Sequence, residues 1–282
     1  MQQLISTGEL NEQLGATDLV VVDCRFNLME PAAGRRAWGE GHIPGAFYAH
    51  LDEELAGAIG PDTGRHPLPE MEDFAKLLGN WGISPASRVV AYDDAGGAMA
   101  ARLWWLLRWV GHDRVMLLDG GLPAWEAAGF ALEQTAPEMK QGNYPVKSAG
   151  LPVIDVATVQ SKLAGGQLVL IDARDAQRFA GEVEPIDAQA GHVPGALNRP
   201  FQENLDESGC FLPPEELHAG FSGLLTEHEQ NSVACMCGSG VTACHNLFAI
   251  HLAGLDINPS LYVGSWSEWI RDPQRPCEPA TA

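Results

Sequence analysis

The chain states its landmarks twice, and this constrains its fold more than any other feature. Leu19-Val-Val-Val-Asp-Cys-Arg25 returns 149 residues later as Leu168-Val-Leu-Ile-Asp-Ala-Arg174. Gly41-His-Ile-Pro-Gly-Ala46 returns after 150 residues as Gly191-His-Val-Pro-Gly-Ala196. Arg88-Val-Val-Ala-Tyr-Asp93 is matched by Ser232-Val-Ala-Cys-Met-Cys237 at an offset of 144. Gly120, Gly121 and Trp125 are matched at the same 144 by Gly264, Ser265 and Trp269. Landmarks that recur in one order at nearly one spacing mark an internal duplication. Units of about 140 residues are domain-sized, whereas a solenoid is built from several shorter ones.

Each half alternates short apolar runs with helical stretches. Val/Ile/Leu runs such as Leu168 to Ile171 read as strands buried on both faces, as in a parallel sheet. Ala98 to Val110 and Thr242 to Leu252 carry apolar residues at helical spacing. The expected class is α/β: two tandem domains, each a central, mainly parallel sheet flanked by helices. The segment 136–152 is rich in Pro, Gly, Lys, Gln and Ser and reads as a linker, which sets the domains at 1–135 and 153–282.

The formal net charge of −20 repels phosphate backbones and argues against nucleic-acid binding. It also means that a site for an anionic ligand must be built locally, from backbone N–H groups and a few arginines. Met1 to Leu14 lacks a basic region followed by an apolar stretch, so no secretory signal is expected. The most apolar stretch, Ala100 to Val110, is interrupted by Arg102 and Arg108, so no membrane span is expected. The six cysteines show no disulfide framework, and the chain reads as cytoplasmic.

Val233-Ala-Cys-Met-Cys-Gly-Ser-Gly-Val-Thr-Ala243 carries the chemistry. A buried strand leads to Cys237, a tight loop follows, and a helix begins near Thr242. Such a unit forms a bowl in which backbone N–H groups and the positive helix end converge above the sulfur. The bowl favours a thiolate and holds any anion formed on that sulfur. Gly238 and Gly240 allow the backbone to turn without shielding the N–H groups, Val241 continues the loop, and Ser239 and Thr242 add hydroxyl donors. Cys235, inside the strand, and Cys244, in the helix, read as core. The two GHxPGA turns and the pairs Asp23/Arg25 and Asp172/Arg174 read as structural.

Over nearly the whole chain these landmarks resemble the rhodanese superfamily of sulfurtransferases. The shared motifs are the Asp-x-Arg strand ends, both GHxPGA turns, the Cys237 loop, and Gly264-Ser-Trp-Ser-Glu-Trp269. The loop Cys-Gly-Ser-Gly-Val-Thr-Ala resembles that of the branch acting on 3-mercaptopyruvate. The resemblance implies a nucleophilic Cys237 that carries sulfur as a persulfide, with no metal and no organic cofactor. It also implies a small anionic sulfur donor and a thiol, thioredoxin-like or cyanide acceptor. Asp93 stands where the second half has Cys237, so the first domain is expected to be non-catalytic. By the same resemblance Arg178 binds the donor's carboxylate, and Asp52 and His66 form a proton relay with Ser239. The loop residues Gly238, Gly240, Val241 and Thr242 would line the substrate.

There is one departure. The branch carries a second carboxylate-binding arginine eight or nine residues after the first, whereas Glu184-Pro-Ile-Asp-Ala188, with Ile186 near that place, holds none. Thiosulfate therefore stands as the alternative donor, and a persulfide relay to a protein partner as the alternative of another class. A phosphatase loop would need a closing Arg that is missing after Cys237. A metal cluster of Cys235, Cys237, Cys244 and His245 is disfavoured because Cys244 and His245 are successive on a helix and diverge.

Overall fold

The computed structural model describes residues 2–147, 151–226 and 232–279. It divides into two compact units: residues 1–57, 68–150 and 207–211, and residues 58–67, 151–206 and 212–282. Segment 58–67 thus belongs to the second unit and 207–211 to the first. Of the expected linker, residues 148–150 lie outside the described residues. The part before them lies along the first unit through Lys140 N–H to Asn80 O (2.7 Å), Tyr144 N–H to Ala75 O (3.0 Å) and Lys147 N–H to Val110 O (3.1 Å).

The first unit contains β1 (Leu4–Ile5), α1 (Thr7–Gln13), β2 (Leu19–Asp23), α2 (Ala32–Glu40), β3 (Phe47–Tyr48), α3 (Met71–Asn80), β4 (Arg88–Tyr92), α4 (Ala100–Trp109), β5 (Val115–Leu118) and α5 (Gly121–Ala127). The second contains β6 (Val153–Ile154), α6 (Val156–Ala164), β7 (Leu168–Asp172), α7 (Ala176–Ala180), β8 (Leu197–Asn198), α8 (Pro214–Leu225), β9 (Ser232–Met236), α9 (Ala243–Leu252), β10 (Ser260–Tyr262) and α10 (Ser265–Trp269). Every strand pairing is parallel. The strand orders, β1-β5-β4-β2-β3 and β6-β10-β9-β7-β8, are one topology used twice. The α/β expectation from the duplicated landmarks is borne out. No helix among the described residues is long and apolar enough to cross a membrane.

Apolar runs without alternation give strands covered on both faces: Leu168 to Ile171 are all buried, and Leu170 and Ile171 are fully inaccessible. The core of each unit gathers on its sheet and is closed by the matched tryptophans. Trp125 joins Val21, Val90 and Leu118 in the first unit, and Trp269 joins Leu170, Ala234 and Tyr262 in the second. Each buried indole keeps its N–H satisfied, Trp125 by Ala131 O at 3.0 Å and Trp269 by Pro276 O at 2.9 Å.

The repeated motifs act as pins between elements. Arg25 Nη2 binds both Asp23 Oδ2 and Gly41 O at 2.7 Å. Arg174 Nη2 repeats this with Asp172 Oδ2 and Gly191 O, each at 2.8 Å. A guanidinium at the strand end thus fixes the start of each GHxPGA turn. The turn histidines do the same for the preceding helix. His42 Nδ1 lies 2.7 Å from Trp38 O, and His192 Nδ1 lies 2.9 Å from Phe179 O, with each imidazole stacked on that aromatic ring. Gly45 and Gly195 both adopt φ of +77°, the left-handed region that excludes most side chains.

Candidate active site

Cys237 is the first residue beyond β9, a strand flanked on both sides by others of its sheet. Open parallel sheets place ligands at the carboxyl ends of their strands. The sulfur accepts N–H groups from Gly240 at 3.2 Å and Ser239 at 3.4 Å, so the bowl expected from the strand-loop-helix pattern is formed. Gly240 holds φ of +79° with its α-carbon tight against the Val263 carbonyl, where a β-carbon would collide. Cys244 Sγ lies 3.4 Å from Gly240 O, bracing the loop from α9. Val241 is buried, and Thr242 immediately precedes α9, which begins at Ala243.

A second wall anchors the loop from outside. Trp266 N–H donates to Cys237 O at 3.0 Å and Ser267 N–H to Gly238 O at 2.9 Å. Cys237 N–H donates to Ser265 Oγ at 3.1 Å, and that hydroxyl donates to Tyr262 O at 2.8 Å. Ser265 takes φ of +54° to do so, the only non-glycine with positive φ among the described residues. Its counterpart Gly121 has φ of +58°, so the second repeat tolerates strain where it places a hydroxyl under the backbone of Cys237.

Beside the sulfur, His66 Nδ1 lies 2.7 Å from Ser239 Oγ, with both residues at most 4% exposed. Arg178, in the last turn of α7, binds Glu184 Oε1 at 2.8 Å and Asp187 Oδ2 at 3.1 Å. The structure therefore gathers Cys237, Gly238, Ser239, Gly240, Val241, Thr242, His66 and Arg178 in the second unit. Asp52 belongs to the first unit, where it borders a cavity with Pro31, Arg35, His50 and Glu53.

Two residues were not singled out by sequence. Arg65 lies next to His66, its N–H held by Ser267 Oγ at 3.0 Å and its guanidinium ion-paired with Asp187. Asp187 stands nine positions after Arg178 and bridges both arginines. A β-carbon on Gly238 would lie 3.0 Å from Arg65 Nη2 and 3.7 Å from Arg178 Nη1. The loop contains no cation of its own, as expected, but two guanidinium groups reach it from neighbouring segments. Burial would raise the Glu184 carboxyl, yet Arg178 and the N–H groups of Asp187 and Ile186 outweigh that and hold it below its ordinary value. Asp187 goes the other way: burial dominates over its two arginines, and its carboxyl is raised.

The neighbouring Cys235 is held as a thiol. Burial pushes Cys235 far up, and the nearby Cys244 and Cys237 sulfurs add to that. A thiol held protonated is neither nucleophile nor leaving group.

The first repeat shows what the bowl is for. Asp93, at the position of Cys237, is fully buried and its carboxylate lies in the corresponding loop. Oδ1 accepts N–H groups from Ala95 (2.8 Å) and Gly97 (2.9 Å), and Oδ2 from Met99 (2.7 Å) and Ala100 (2.8 Å). Here the chain fills the loop itself, with one side chain at the centre of four backbone N–H groups.

The duplicated architecture is matched among known proteins. The rhodanese-like domain model matches residues 6–128 and again 155–272. The chain is 50% identical to a probable 3-mercaptopyruvate sulfurtransferase of Pseudomonas aeruginosa PAO1, over 97% of each chain. It is 41% identical to a Mycobacterium tuberculosis protein with the provisional name thiosulfate sulfurtransferase SseB, over 100% of this chain and 98% of that one. Among solved structures, the 3-mercaptopyruvate sulfurtransferase of Leishmania major superposes with a TM-score of 0.82 at 32% identity, covering 95% of this chain and 74% of that one.

Proposed function

This chain belongs to the rhodanese-like family and is a sulfurtransferase, and we propose that its donor is 3-mercaptopyruvate and its nucleophile Cys237. The observation that carries this reading is the buried pair of Ser239 Oγ and His66 Nδ1, 2.7 Å apart and two residues from the sulfur. Sulfite leaves thiosulfate without needing a proton. Pyruvate leaves mercaptopyruvate as an enolate, which does need one.

The proposed reaction is a double displacement. The Cys237 thiolate attacks the donor's sulfur, and the donor's carbon–sulfur bond breaks with its electron pair going to carbon. The donor's thiol proton ends on that carbon by way of Ser239 and His66, so pyruvate departs and Cys237 carries S–S⁻. The Ser239 and Gly240 N–H groups stabilise the new charge. Cyanide, or the thiolate of a small thiol or thioredoxin-like dithiol, then attacks the outer sulfur and leaves as thiocyanate or a persulfide, and the Cys237 thiolate returns. Arg178 holds the donor's carboxylate. The first repeat takes no covalent part because its matching residue is Asp93.

The deciding measurement is the ratio of kcat/KM for 3-mercaptopyruvate over thiosulfate, expected above one. A ratio below one would replace this donor with thiosulfate, the substrate in the name of the Mycobacterium tuberculosis relative.

A further inference from the structure

We propose that Arg65 is a second donor-binding residue, forming with Arg178 a two-guanidinium clamp beside Gly238 that grips the donor's carboxylate, with Asp187 as the tether that aims both. The inference rests on the mercaptopyruvate reading and goes beyond it by assigning the missing cation to a residue outside the position where an arginine is expected.

Eight or nine positions after Arg178, where the resemblance calls for an arginine, stand Ile186 and Asp187. The second cation comes instead from residue 65, which is ion-paired with Asp187. The cluster thereby holds two guanidinium groups.

The geometry leaves those groups free on the side that matters. Glu184 takes Arg178 Nε and Nη2, while Asp187 takes Arg178 Nη2 and Arg65 Nη1. Of the nitrogens that a β-carbon on Gly238 would meet, Arg65 Nη2 and Arg178 Nη1 make no hydrogen bond among the described residues, while Arg178 Nη2, as close as Nη1, is held by Glu184 and Asp187. Arg65 Nε is also buried without a partner there. Two carboxylates, each with a side chain only 4% exposed, hold Arg65 Nη1 and Arg178 Nε and Nη2 and leave Arg65 Nη2 and Arg178 Nη1 as donors. The backbone of Arg65 is tied to the loop wall as well, because its N–H is bound by Ser267, whose own N–H binds Gly238 O. Gly238 has no side chain to fill the space in front of Arg65 Nη2.

Two cations and two anions make the clamp neutral before the donor arrives. One carboxylate raises its charge to a single negative, whereas a dianion adds two in a partly buried place, where each unpaired charge is costly. The tether therefore sets a preference for a monoanionic donor.

The test compares wild type, Arg65→Gln and Arg65→Lys on 3-mercaptopyruvate and on mercaptoacetone, the same mercapto-ketone with a methyl group in place of the carboxylate. Losing one charged contact should lower kcat/KM for 3-mercaptopyruvate about ten- to a hundredfold, mainly through KM. The loss on mercaptoacetone should be about tenfold smaller, and the lysine variant should fall between. Equal losses on the two donors, or none on 3-mercaptopyruvate, overturn the clamp. If the glutamine variant does not fold, the donor ratio of the lysine variant decides by the same criterion. If wild type prefers thiosulfate, the donor reading fails separately. The clamp then stands or falls on whether Arg65→Gln weakens thiosulfate turnover more than mercaptoacetone turnover.

Discussion

His66 Nδ1 and Ser239 Oγ are 2.7 Å apart, and almost no water reaches either residue. In the proposed reaction this pair makes the two donors kinetically distinguishable. Ser239→Ala should lower kcat for 3-mercaptopyruvate about a hundredfold, the lower range for a lost proton-transfer group. Thiosulfate turnover should fall much less. Steady-state kinetics on both donors checks this, and equal losses would reduce the pair to a packing contact.

Cys237→Ser should abolish transfer while leaving the folded spectrum intact. After exposure to donor, the mass of the wild-type protein should rise by one sulfur atom, located on Cys237 by peptide mapping. Cys235 should stay unmodified, because burial keeps its thiol protonated. Sulfur found on Cys235 or Cys244 would overturn the assignment.

Ser265 separates backbone strain from hydroxyl function. Its φ of +54° suits glycine, while its hydroxyl accepts the Cys237 N–H at 3.1 Å. Ser265→Ala keeps the strain and deletes the acceptor, and should cost about 1–3 kcal/mol of stability. Ser265→Gly relieves the strain and should cost less, yet both variants should lose turnover through a loosened loop. Urea denaturation alongside kinetics distinguishes the two effects. A glycine variant with full activity would show that the hydroxyl has no role under the nucleophile.

Asp93→Ala should be strongly destabilising, by about 2–5 kcal/mol, because it strands buried N–H groups that now share one carboxylate. The measurement is the urea midpoint. A change smaller than about 1 kcal/mol would mean that water replaces the carboxylate at little cost.

The Glu184 carboxyl has a pH signature. Its folded pKa lies below the ordinary 4.5, so its stabilising contribution is complete above that value and is lost as pH falls through the folded value. The stability gap between wild type and Glu184→Gln should therefore be constant near neutral pH and narrow on acidification below about 4.5. A gap that widens in acid would give the shift the opposite sign.

Much of this was legible in the chain because duplication writes each constraint twice. The Asp-x-Arg strand ends, the GHxPGA turns and the Cys237 loop each sit at a strand terminus, where residue type is dictated by backbone geometry. The helix expected from Ala98 begins instead at Ala100, because the N–H groups of Gly97, Met99 and Ala100 turn towards Asp93 and the preceding turn is spent on that carboxylate. Arg65 was not legible. It lies in Gly60-Pro-Asp-Thr-Gly-Arg-His66, a stretch with no period that would place a side chain, and it belongs with the second unit although it lies in the first half of the chain. Asp187 could have been read as its complement, since an acidic residue beside the place where a cation is expected calls for a cation elsewhere. The strain at Ser265 was also available by analogy, because its counterpart 144 residues earlier is Gly121.

Asp93 has a last consequence, for which form of the enzyme is the finished one. In the first repeat, translation itself delivers the carboxyl group on which four N–H groups of the loop converge. In the second repeat the same position ends in a short thiol, and a terminal sulfur lengthens it toward the reach of a carboxylate. In the proposed reaction the sulfur-laden form is the one that comes nearest to the filled loop of the first repeat, where one carboxyl group takes four N–H groups. The bare Cys237 sulfur engages the N–H groups of Ser239 and Gly240, so reloading would extend a contact that the loop already makes.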